Sequence, residues 1–521
     1  MEQDHEYIEQ DHELTESEKA KQDETLGNLT SDIQELKKKS VSGFGWATAQ
    51  QAVGRITTFV VQLVLARLLT PDDFGAVAVL AIFLAITQTL SEAGFSSSLT
   101  RQETLDERDL STVFYYNLGA SLFFYLLLFL VAPWVADYFR DPKLCLILRV
   151  YGIPNIIYSL ASVQRVLLWR RMEFKKQMYV QLFNGLASGG VGIAMAALGF
   201  GVWSLVGMAF AQSIMNAILV WNYSPWRPKR VFDKERFKVH FDFGWRVALT
   251  NVTRAVYDNV ATIFIGRYFS MRTLGLYGQA NTFYVVPVSV LADPINKVSL
   301  PVLVRVQNDV ELLRAGYRKA MRLLVQLSAP ILTMLLVLAH PLYHVLFGEK
   351  WMEAAGFFQI LCLAGLLSPL IDYNANVLMV KGRGDLFLRI DIVRRIIGVI
   401  AMVIALSFSR YWGVYGLLWS TVISQVIFLF INSYYSGRFI SYTIWNQLAE
   451  LLPFFLMSGV SGVVVLGVDT YLTSGLSDFL RLAIGGIVMG VAYLALLYTF
   501  ARRDLFYVWE LLEEHLLKRK V

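Results

Sequence analysis

Cysteine and histidine are scarce in this 521-residue sequence, and their scarcity excludes several classes of site. The two cysteines, Cys145 and Cys362, both lie inside apolar segments, so neither a disulfide framework nor a thiolate metal site is expected. The six histidines show no metal-ligand spacing. We therefore predict no metal site, no cofactor and no redox chemistry.

Sequence motifs of enzymes are also missing. We find no DxD acid pair, no nucleophile with a matching base and no glycine-rich phosphate loop. The connectors predicted to face outward are short, whereas glycan polymerases and ligases present a long extracytoplasmic loop with catalytic groups. The sequence therefore predicts no catalytic residues and no enzyme activity.

Apolar residues are abundant in what remains. They make up 55% of the chain, and the mean hydropathy is +0.48. Segments of about twenty mainly apolar residues recur along it, each long enough to cross about 30 Å of hydrocarbon. Since a backbone in lipid must satisfy its own hydrogen bonds, we predict an all-α, polytopic membrane protein. About fourteen transmembrane helices are predicted, at 44–67, 74–96, 111–136, 145–168, 178–199, 202–222, 243–266, 275–300, 323–347, 354–380, 387–408, 412–434, 446–468 and 479–500.

Charge is divided unevenly along the chain. Residues 1–41 contain 12 acidic and five basic residues, whereas the rest contains 29 acidic and 42 basic residues. Basic connectors alternate with short, nearly uncharged ones, which by the positive-inside rule places both termini in the cytoplasm. Because no nucleic-acid-binding module accompanies the positive charge, we interpret it as a topological signal and predict no nucleic-acid partner.

An internal repeat divides the membrane region. Gly, Trp and Arg anchors recur 199 or 200 residues apart, as Gly45-Trp46, Arg55, Arg67 and Gly75, then Gly244-Trp245, Arg254, Arg267 and Gly275. A repeat displaced by six helices keeps its orientation, so we predict two six-helix lobes related by a pseudo-two-fold axis along the membrane normal. The predicted parts are an acidic disordered cytoplasmic tail (1–41), an N-terminal lobe (42–222), a basic cytoplasmic linker (223–242), a C-terminal lobe (243–437), two additional transmembrane helices (438–501) and an amphipathic cytoplasmic tail (502–521).

Polar stripes run along the first helix of each lobe. One stripe is Gln51, Arg55, Thr58 and Gln62, and the other is Asn251, Arg254, Asp258 and Thr262. Their spacings of three and four residues place each set on one helical face. A charged residue at mid-membrane costs about 2.5–3.5 kcal/mol, so the stripes should face protein, water or a ligand. We predict that both stripes line a substrate cavity, although an i,i+4 ion pair explains Arg254 and Asp258 equally well.

Two further intramembrane acids, Asp293 and Asp372, are candidate sites for a coupling ion. A proton or a sodium ion fits this role. Lys297 lies four residues after Asp293, which leaves a local ion pair as the alternative there.

Several motifs resemble the bacterial polysaccharide transporter family. The segment LARLLTPDDFG (residues 65–75) resembles the family signature at the end of the first helix, and SEAGF (91–95), GFGVW (199–203), LGLY (274–277) and the 338–351 block follow in the same order. The similarity covers about residues 40–440. It looks most like the colanic-acid and lipopolysaccharide exporter branch of the multidrug/oligosaccharidyl-lipid/polysaccharide (MOP) flippase superfamily.

The resemblance implies two six-helix lobes around a partly cationic cavity, as in MATE multidrug transporters, in the cytoplasmic (inner) membrane of a bacterium. It implies that a polyprenyl-diphosphate-linked oligosaccharide repeat unit is flipped from the cytoplasmic to the periplasmic leaflet by alternating access, for exopolysaccharide or lipopolysaccharide export. The implied partners are membrane lipid, this lipid-linked oligosaccharide and polysaccharide polymerase or export machinery. The predicted role of Arg55 and Arg254 in substrate binding follows from the polar stripes and not from the resemblance to the family.

Two other interpretations stay open from the sequence. A drug or cation antiporter of the same superfamily should favour acids over arginines in its cavity. A non-transporting membrane component or enzyme of polysaccharide assembly would need neither stripe to bind a substrate.

Overall fold

The structure, a computed structural model, describes residues 46, 50–51, 53–92, 94–502 and 504–506, without the side chains of Asp293, Pro294 and Val298. The predicted tail 1–41 and most of the tail 502–521 lie outside the described residues. All regular structure in the described residues is helical, which confirms the all-α fold class. The α-helices are α1 (53–68), α2 (Pro71–Glu92), α3 (Phe95–Arg101), α4 (Glu107–Phe139), α5 (Lys143–Tyr151), α6 (Ile153–Ser159), α7 (Ser162–Arg170), α8 (Phe174–Ala197), α9 (Val202–Tyr223), α10 (Lys234–Asp258), α11 (Val260–Tyr268), α12 (Met271–Arg305), α13 (Val310–Val337), α14 (Ala339–Phe347), α15 (Met352–Gly365), α16 (Ser368–Val380), α17 (Gly384–Ser407), α18 (Ser409–Ile440), α19 (Ile444–Tyr471) and α20 (Asp478–Phe500), with a 3-10 turn at Glu349–Trp351.

Ten helical segments in the described residues are long and apolar enough to cross a membrane, or eleven if the run from α5 to α7, bent by 45°, forms one span. The other three predicted spans coincide with α1, α10–α11 and α17. The structure describes α1 only from residue 53, and α10 and α17 carry several charged residues. The chain is therefore a multi-pass membrane protein, and the number fourteen stays a prediction.

The names N-terminal lobe and C-terminal lobe are used below for the predicted ranges 42–222 and 243–437. Helix α2 of the first range packs along α11 and α12 of the second, and along α10, which runs from the predicted linker into the second range. The starts of α2 and α12 are fixed by similar caps. Asp73 accepts a hydrogen bond from the Thr70 amide (3.0 Å), and Ser270 accepts one from the Thr273 amide (3.1 Å). The first turns of the two helices lie against each other.

The two helices cross at matched glycines of the repeat. A Cβ atom on Gly75 would lie 1.9 Å from the carbonyl oxygen of Met271, and one on Gly275 would lie 1.8 Å from that of Pro71. Only glycine permits so close an approach of two backbones. The reciprocal contact is what a two-fold axis through the crossing produces, and the symmetry of the whole lobes stays a prediction.

Arginines at helix ends join the lobes beside this crossing. Arg67, at the end of α1, donates from Nε to the Leu346 carbonyl oxygen (2.8 Å) at the end of α14. Its match in the repeat, Arg267, donates from Nη1 to the Tyr138 carbonyl oxygen (2.6 Å) at the end of α4. The last carbonyls of a helix have no partner within the helix, so these bonds satisfy them. Arg67 therefore joins α1 to α14, and Arg267 joins α11 to α4.

The largest buried apolar cluster continues across the same boundary. It includes Val79 and Leu80 of α2, Leu274 of α12, and Trp351 and Phe358 of the C-terminal lobe. The Trp351 indole also donates to the Ala66 carbonyl oxygen of α1 at 2.7 Å. The end of the molecule that holds the Gly75–Gly275 crossing is therefore closed by packing and by hydrogen bonds.

At its opposite end, α2 meets the first half of α10. A Cβ atom on Gly94 would lie 2.5 Å from the carbonyl oxygen of Gly244, and Gly94 has a φ of 68°, which favours glycine. Close by, the buried ring of His240 on α10 joins the N-terminal lobe. Its Nδ1 lies 2.9 Å from Ser98 Oγ and its Nε2 lies 3.3 Å from Asp109 Oδ1. Both ends of α2 therefore hold the lobes together in this conformation.

His240 makes this contact sensitive to pH. Burial lowers the pKa of His240, which lies outside the predicted spans, although the bond to Asp109 acts in the opposite direction. Because the pKa is lower in the folded state than its ordinary value, the unfolded state binds more protons as the pH falls. We expect thermal stability to decline below about pH 6.5, and amide exchange in α3 to rise there.

The His240→Gln variant should show a weaker pH dependence of both quantities. His340→Gln is the matched control, since His340 is exposed. Equal pH profiles for the two variants would contradict a role of His240 in the lobe contact.

Candidate functional site

The polar face of α1 opens into a cavity of about 530 Å³ between α1, α8 and α12. The first predicted stripe, Gln51, Arg55, Thr58 and Gln62, lines this cavity in full. Its other walls include Gln181 of α8 and Thr282, Phe283 and Val286 of α12. The structure therefore brings the four residues of the stripe together in one cavity between the lobes.

Two basic side chains reach the wall of this cavity. Arg55 donates from Nη1 to Ser289 Oγ of α12 at 3.3 Å, and Lys297 of α12 donates from Nζ to Gln51 Oε1 at 3.4 Å. Both bonds cross from one lobe to the other. They are long for hydrogen bonds, which indicates modest individual strength.

The α12 residues of this site were not predicted. Thr282, Ser289 and Lys297 are seven and eight residues apart, a spacing that keeps them on one helical face. That spacing was a usable signal, because polar residues two turns apart in an apolar helix follow the same rule as the α1 stripe. Gln181 of α8 carried the same signal, because Gln177, Asn184 and Ser188 share its helical face at spacings of three and four residues, and it was not predicted either.

The second predicted stripe does not join the first. Within the described part of the chain, the lining of the cavity contains none of Asn251, Arg254, Asp258 and Thr262. Arg254 Nε lies 3.6 Å from Asp258 Oδ2, with the two side chains 71% and 52% exposed. This is the i,i+4 ion pair that the sequence offered as an alternative. A role of these four residues in substrate binding stays a prediction.

Asp372, a predicted ion site, lies in a cluster of charges between α16 and α17. Its Oδ1 is 3.7 Å from Arg394 Nη1, and its side chain is 57% exposed. On the same helix as Arg394, Arg395 Nε pairs with Asp391 Oδ2 at 2.8 Å. Asp372 is therefore both accessible and next to a cation. The side chain of the other predicted ion site, Asp293, lies outside the described residues.

The sequence is similar to proteins of polysaccharide synthesis over most of its length. A family model described as "Polysaccharide biosynthesis protein" matches residues 64–356. The teichuronic acid biosynthesis protein TuaB of Bacillus subtilis (strain 168) is 23% identical over 466 residues, which cover 89% of this chain and 96% of TuaB. The lipopolysaccharide biosynthesis protein WzxC of Escherichia coli (strain K12) is 24% identical over 443 residues, which cover 83% of this chain and 89% of WzxC.

The fold has a close match among solved structures. The lipid II flippase MurJ in an inward closed conformation matches with a TM-score of 0.71 at 14% identity, over 88% of this chain and 99% of MurJ. At this identity the likeness establishes the fold. Because the family model spans more than half of the chain, the resemblance seen in the motifs is confirmed, and this multi-pass membrane protein belongs to the polysaccharide biosynthesis protein family.

Proposed function

We propose that this protein flips a polyprenyl-diphosphate-linked oligosaccharide repeat unit from the cytoplasmic to the periplasmic leaflet of the bacterial cytoplasmic membrane. The observation that carries the proposal is the cavity between the lobes, with Arg55 and the rest of the first stripe on its wall. The names of TuaB and WzxC place those relatives in polysaccharide synthesis, and MurJ is named as a lipid II flippase. Both termini are proposed to be cytoplasmic, with polysaccharide polymerase or export machinery receiving the flipped lipid.

The cavity suits each of the three parts of such a substrate: the diphosphate, the sugars and the polyprenyl tail. The planar guanidinium of Arg55 can donate two parallel hydrogen bonds to a diphosphate. The amide and hydroxyl groups of Gln51, Thr58, Gln62 and Gln181 both donate and accept, as sugar hydroxyls do. The polyprenyl tail can remain in the lipid. A cavity of about 530 Å³ falls within the range of about 300–1,000 Å³ typical of small-ligand sites.

The two glycine contacts of α2 suggest how access alternates. In this conformation α2 touches the C-terminal lobe at both ends, at Gly75 and at Gly94. Separating one contact while keeping the other opens the cavity to one face of the membrane, as in rocking transporters. A substrate that binds the two opened states unequally shifts their populations.

A headgroup-accessibility assay in liposomes tests the function. Protein is reconstituted with labelled undecaprenyl-diphosphate oligosaccharide, and a membrane-impermeant reagent that attacks the label is added outside. We expect the fraction of label attacked to rise well above that of protein-free liposomes. Label that stays on its original leaflet would favour a non-transporting component, and glycan-chain elongation by the protein would indicate an enzyme.

We infer that Asp372 couples transport to a proton or sodium gradient, because an accessible acid beside Arg394 can exchange its partner for a cation. Asp372→Asn is expected to slow translocation and to remove its dependence on the imposed gradient. Asp385→Asn is the control, since Asp385 pairs with Arg383 at the start of α17. If Asp372→Asn keeps the full gradient dependence in proteoliposomes, Asp372 is not the coupling site.

A further inference from the structure

A second pocket, of about 540 Å³, lies where α2 ends, against α3, α6 and α7. Beside this pocket, the span predicted at 145–168 is bent by 45° between Ser159 and Ser162. The end of α2 contributes Glu92, α3 contributes hydroxyl side chains, and α7 contributes Arg165 and Trp169. The pocket lies in the N-terminal lobe and none of its described lining belongs to the Arg55 cavity.

Arg165 has hydrogen-bonding capacity left in this pocket. Its Nη2 lies 3.8 Å from Glu92 Oε1 and 3.5 Å from the Tyr158 carbonyl oxygen, both long for a hydrogen bond. Its Nη1 is buried and has no acceptor among the described residues. The guanidinium lies 3.3 Å from the centre of the Tyr158 ring, which holds it in place. A buried donor without an acceptor indicates a missing partner, here a ligand or water.

The other groups of the pocket indicate which ligand would fit. Trp169 is 56% exposed, so a large aromatic face is left open on the pocket wall. Ser97 and Thr100 add exposed hydroxyls, of which Thr100 Oγ1 already donates to the Ser96 carbonyl oxygen (2.8 Å) and can accept from a ligand. Glu92 adds an acceptor and would oppose an anion. A sugar ring, with an apolar face of C–H groups and an edge of hydroxyls, matches this set better than a phosphate does.

Helices α7 and α8 connect the pocket to the Arg55 cavity along the chain. Trp169 lies in the pocket one residue before the end of α7, and three residues separate α7 from α8, which brings Gln181 to the Arg55 cavity. On its other side, the Arg101 guanidinium lies 5.1 Å from the ring centre of Phe243 on α10. The pocket therefore borders the contact between the lobes at the end that we predict to be cytoplasmic.

We propose that this pocket is a subsite for sugar residues of the lipid-linked substrate, with Trp169 stacking on a ring and Arg165 and Glu92 binding its hydroxyls. This inference rests on the proposed flippase function and adds a basis for sugar selection. The diphosphate is held at Arg55, and the glycan extends to α3 and α7.

Binding to two probes tests the subsite. The full-length protein in lipid nanodiscs is titrated with undecaprenyl diphosphate and with the same lipid carrying one glucose. We expect the wild type to bind the glucosylated lipid more tightly, and Trp169→Ala to lose about five- to tenfold of affinity for that probe alone. Trp134→Ala is the matched control, because Trp134 is an exposed tryptophan on α4 that lies outside the pocket.

Thr100→Val provides a second variant that keeps the side-chain shape and removes one hydroxyl, in case Trp169→Ala does not fold. Thr100→Val should also lower the affinity for the glucosylated lipid and leave the affinity for undecaprenyl diphosphate unchanged. Equal wild-type affinity for the two probes, or equal losses for both in the variants, would overturn the subsite while leaving the flippase function standing. A wild type that binds neither lipid would overturn both.

Discussion

Replacing Arg55 with alanine is expected to weaken binding of undecaprenyl-diphosphate-linked sugar about ten- to a hundredfold. Hydrogen bonds to charged groups contribute about 1.5–3 kcal/mol, and about 1.4 kcal/mol corresponds to a factor of ten. Arg55 lines the cavity between the lobes and reaches Ser289 across it, so its loss removes charge where the diphosphate is proposed to bind. The dissociation constant in nanodiscs measures the effect, and translocation in liposomes should fall with it.

Two substitutions separate charge from geometry at this position. Arg55→Lys keeps a positive charge but loses the planar fork, so an intermediate affinity is expected. Arg410→Ala removes an exposed arginine at the start of α18 and should leave binding unchanged. If Arg55→Ala and Arg410→Ala bind the lipid equally well, the diphosphate is not held at Arg55.

The second stripe can be judged in the same experiment. Arg254 pairs with Asp258 in this conformation. If the pair has a purely structural role, Arg254→Ala and Asp258→Ala should reduce lipid binding to a similar extent. A substrate contact predicts that Arg254→Ala weakens lipid binding and that Asp258→Ala does not. The comparison decides between the two interpretations that the sequence left open.

Alanine at Gly75 or Gly275 is expected to force the crossing of α2 and α12 apart. The new Cβ atom would lie within 2 Å of a backbone carbonyl oxygen, so the helices must move. Overpacking typically costs about 1–3 kcal/mol, which would lower the population of the closed crossing about five- to a hundredfold. Distances between spin labels on α2 and α12 should lengthen, and translocation should slow because this end no longer seals.

Gly278→Ala is the matched control for these variants. It lies on α12 one turn beyond Gly275, and nothing lies within 4 Å of a Cβ atom built there. Its distance distribution should match that of the wild type. The closed crossing would lose its proposed role if Gly75→Ala and Gly278→Ala gave the same distribution and the same transport rate.

The first stripe could be predicted from the sequence because its signal is local. Four polar residues at helical spacing inside an apolar segment must share one face, and their desolvation cost requires a polar neighbour whatever the tertiary fold. The structure places all four in one cavity. The identity of the opposite wall depends on how α8 and α12 pack, which no spacing within α1 specifies.

The second stripe shows the limit of the same argument. A spacing of four residues puts Arg254 and Asp258 on one face and also within reach of each other, so the pattern predicts a stripe and an ion pair alike. The structure contains the ion pair. For the glycines, the repeat identified Gly75 and Gly275 as matched positions, but their contact depends on the crossing of two helices from different lobes. Likewise, the pocket at Trp169 lies beside a bend in what the hydropathy pattern predicted as one continuous span.

Thiol labelling inside the cavity can show whether it opens to both faces of the membrane. After Cys145 and Cys362 are replaced by serine and alanine, Thr58→Cys places a single thiol beside Arg55. A membrane-impermeant maleimide is then added to right-side-out and to inside-out vesicles. We expect labelling from both faces, with Gly75→Ala increasing it from the face at the Gly75–Gly275 crossing. Labelling from one face only under every condition, or from neither, would contradict alternating access to the Arg55 cavity.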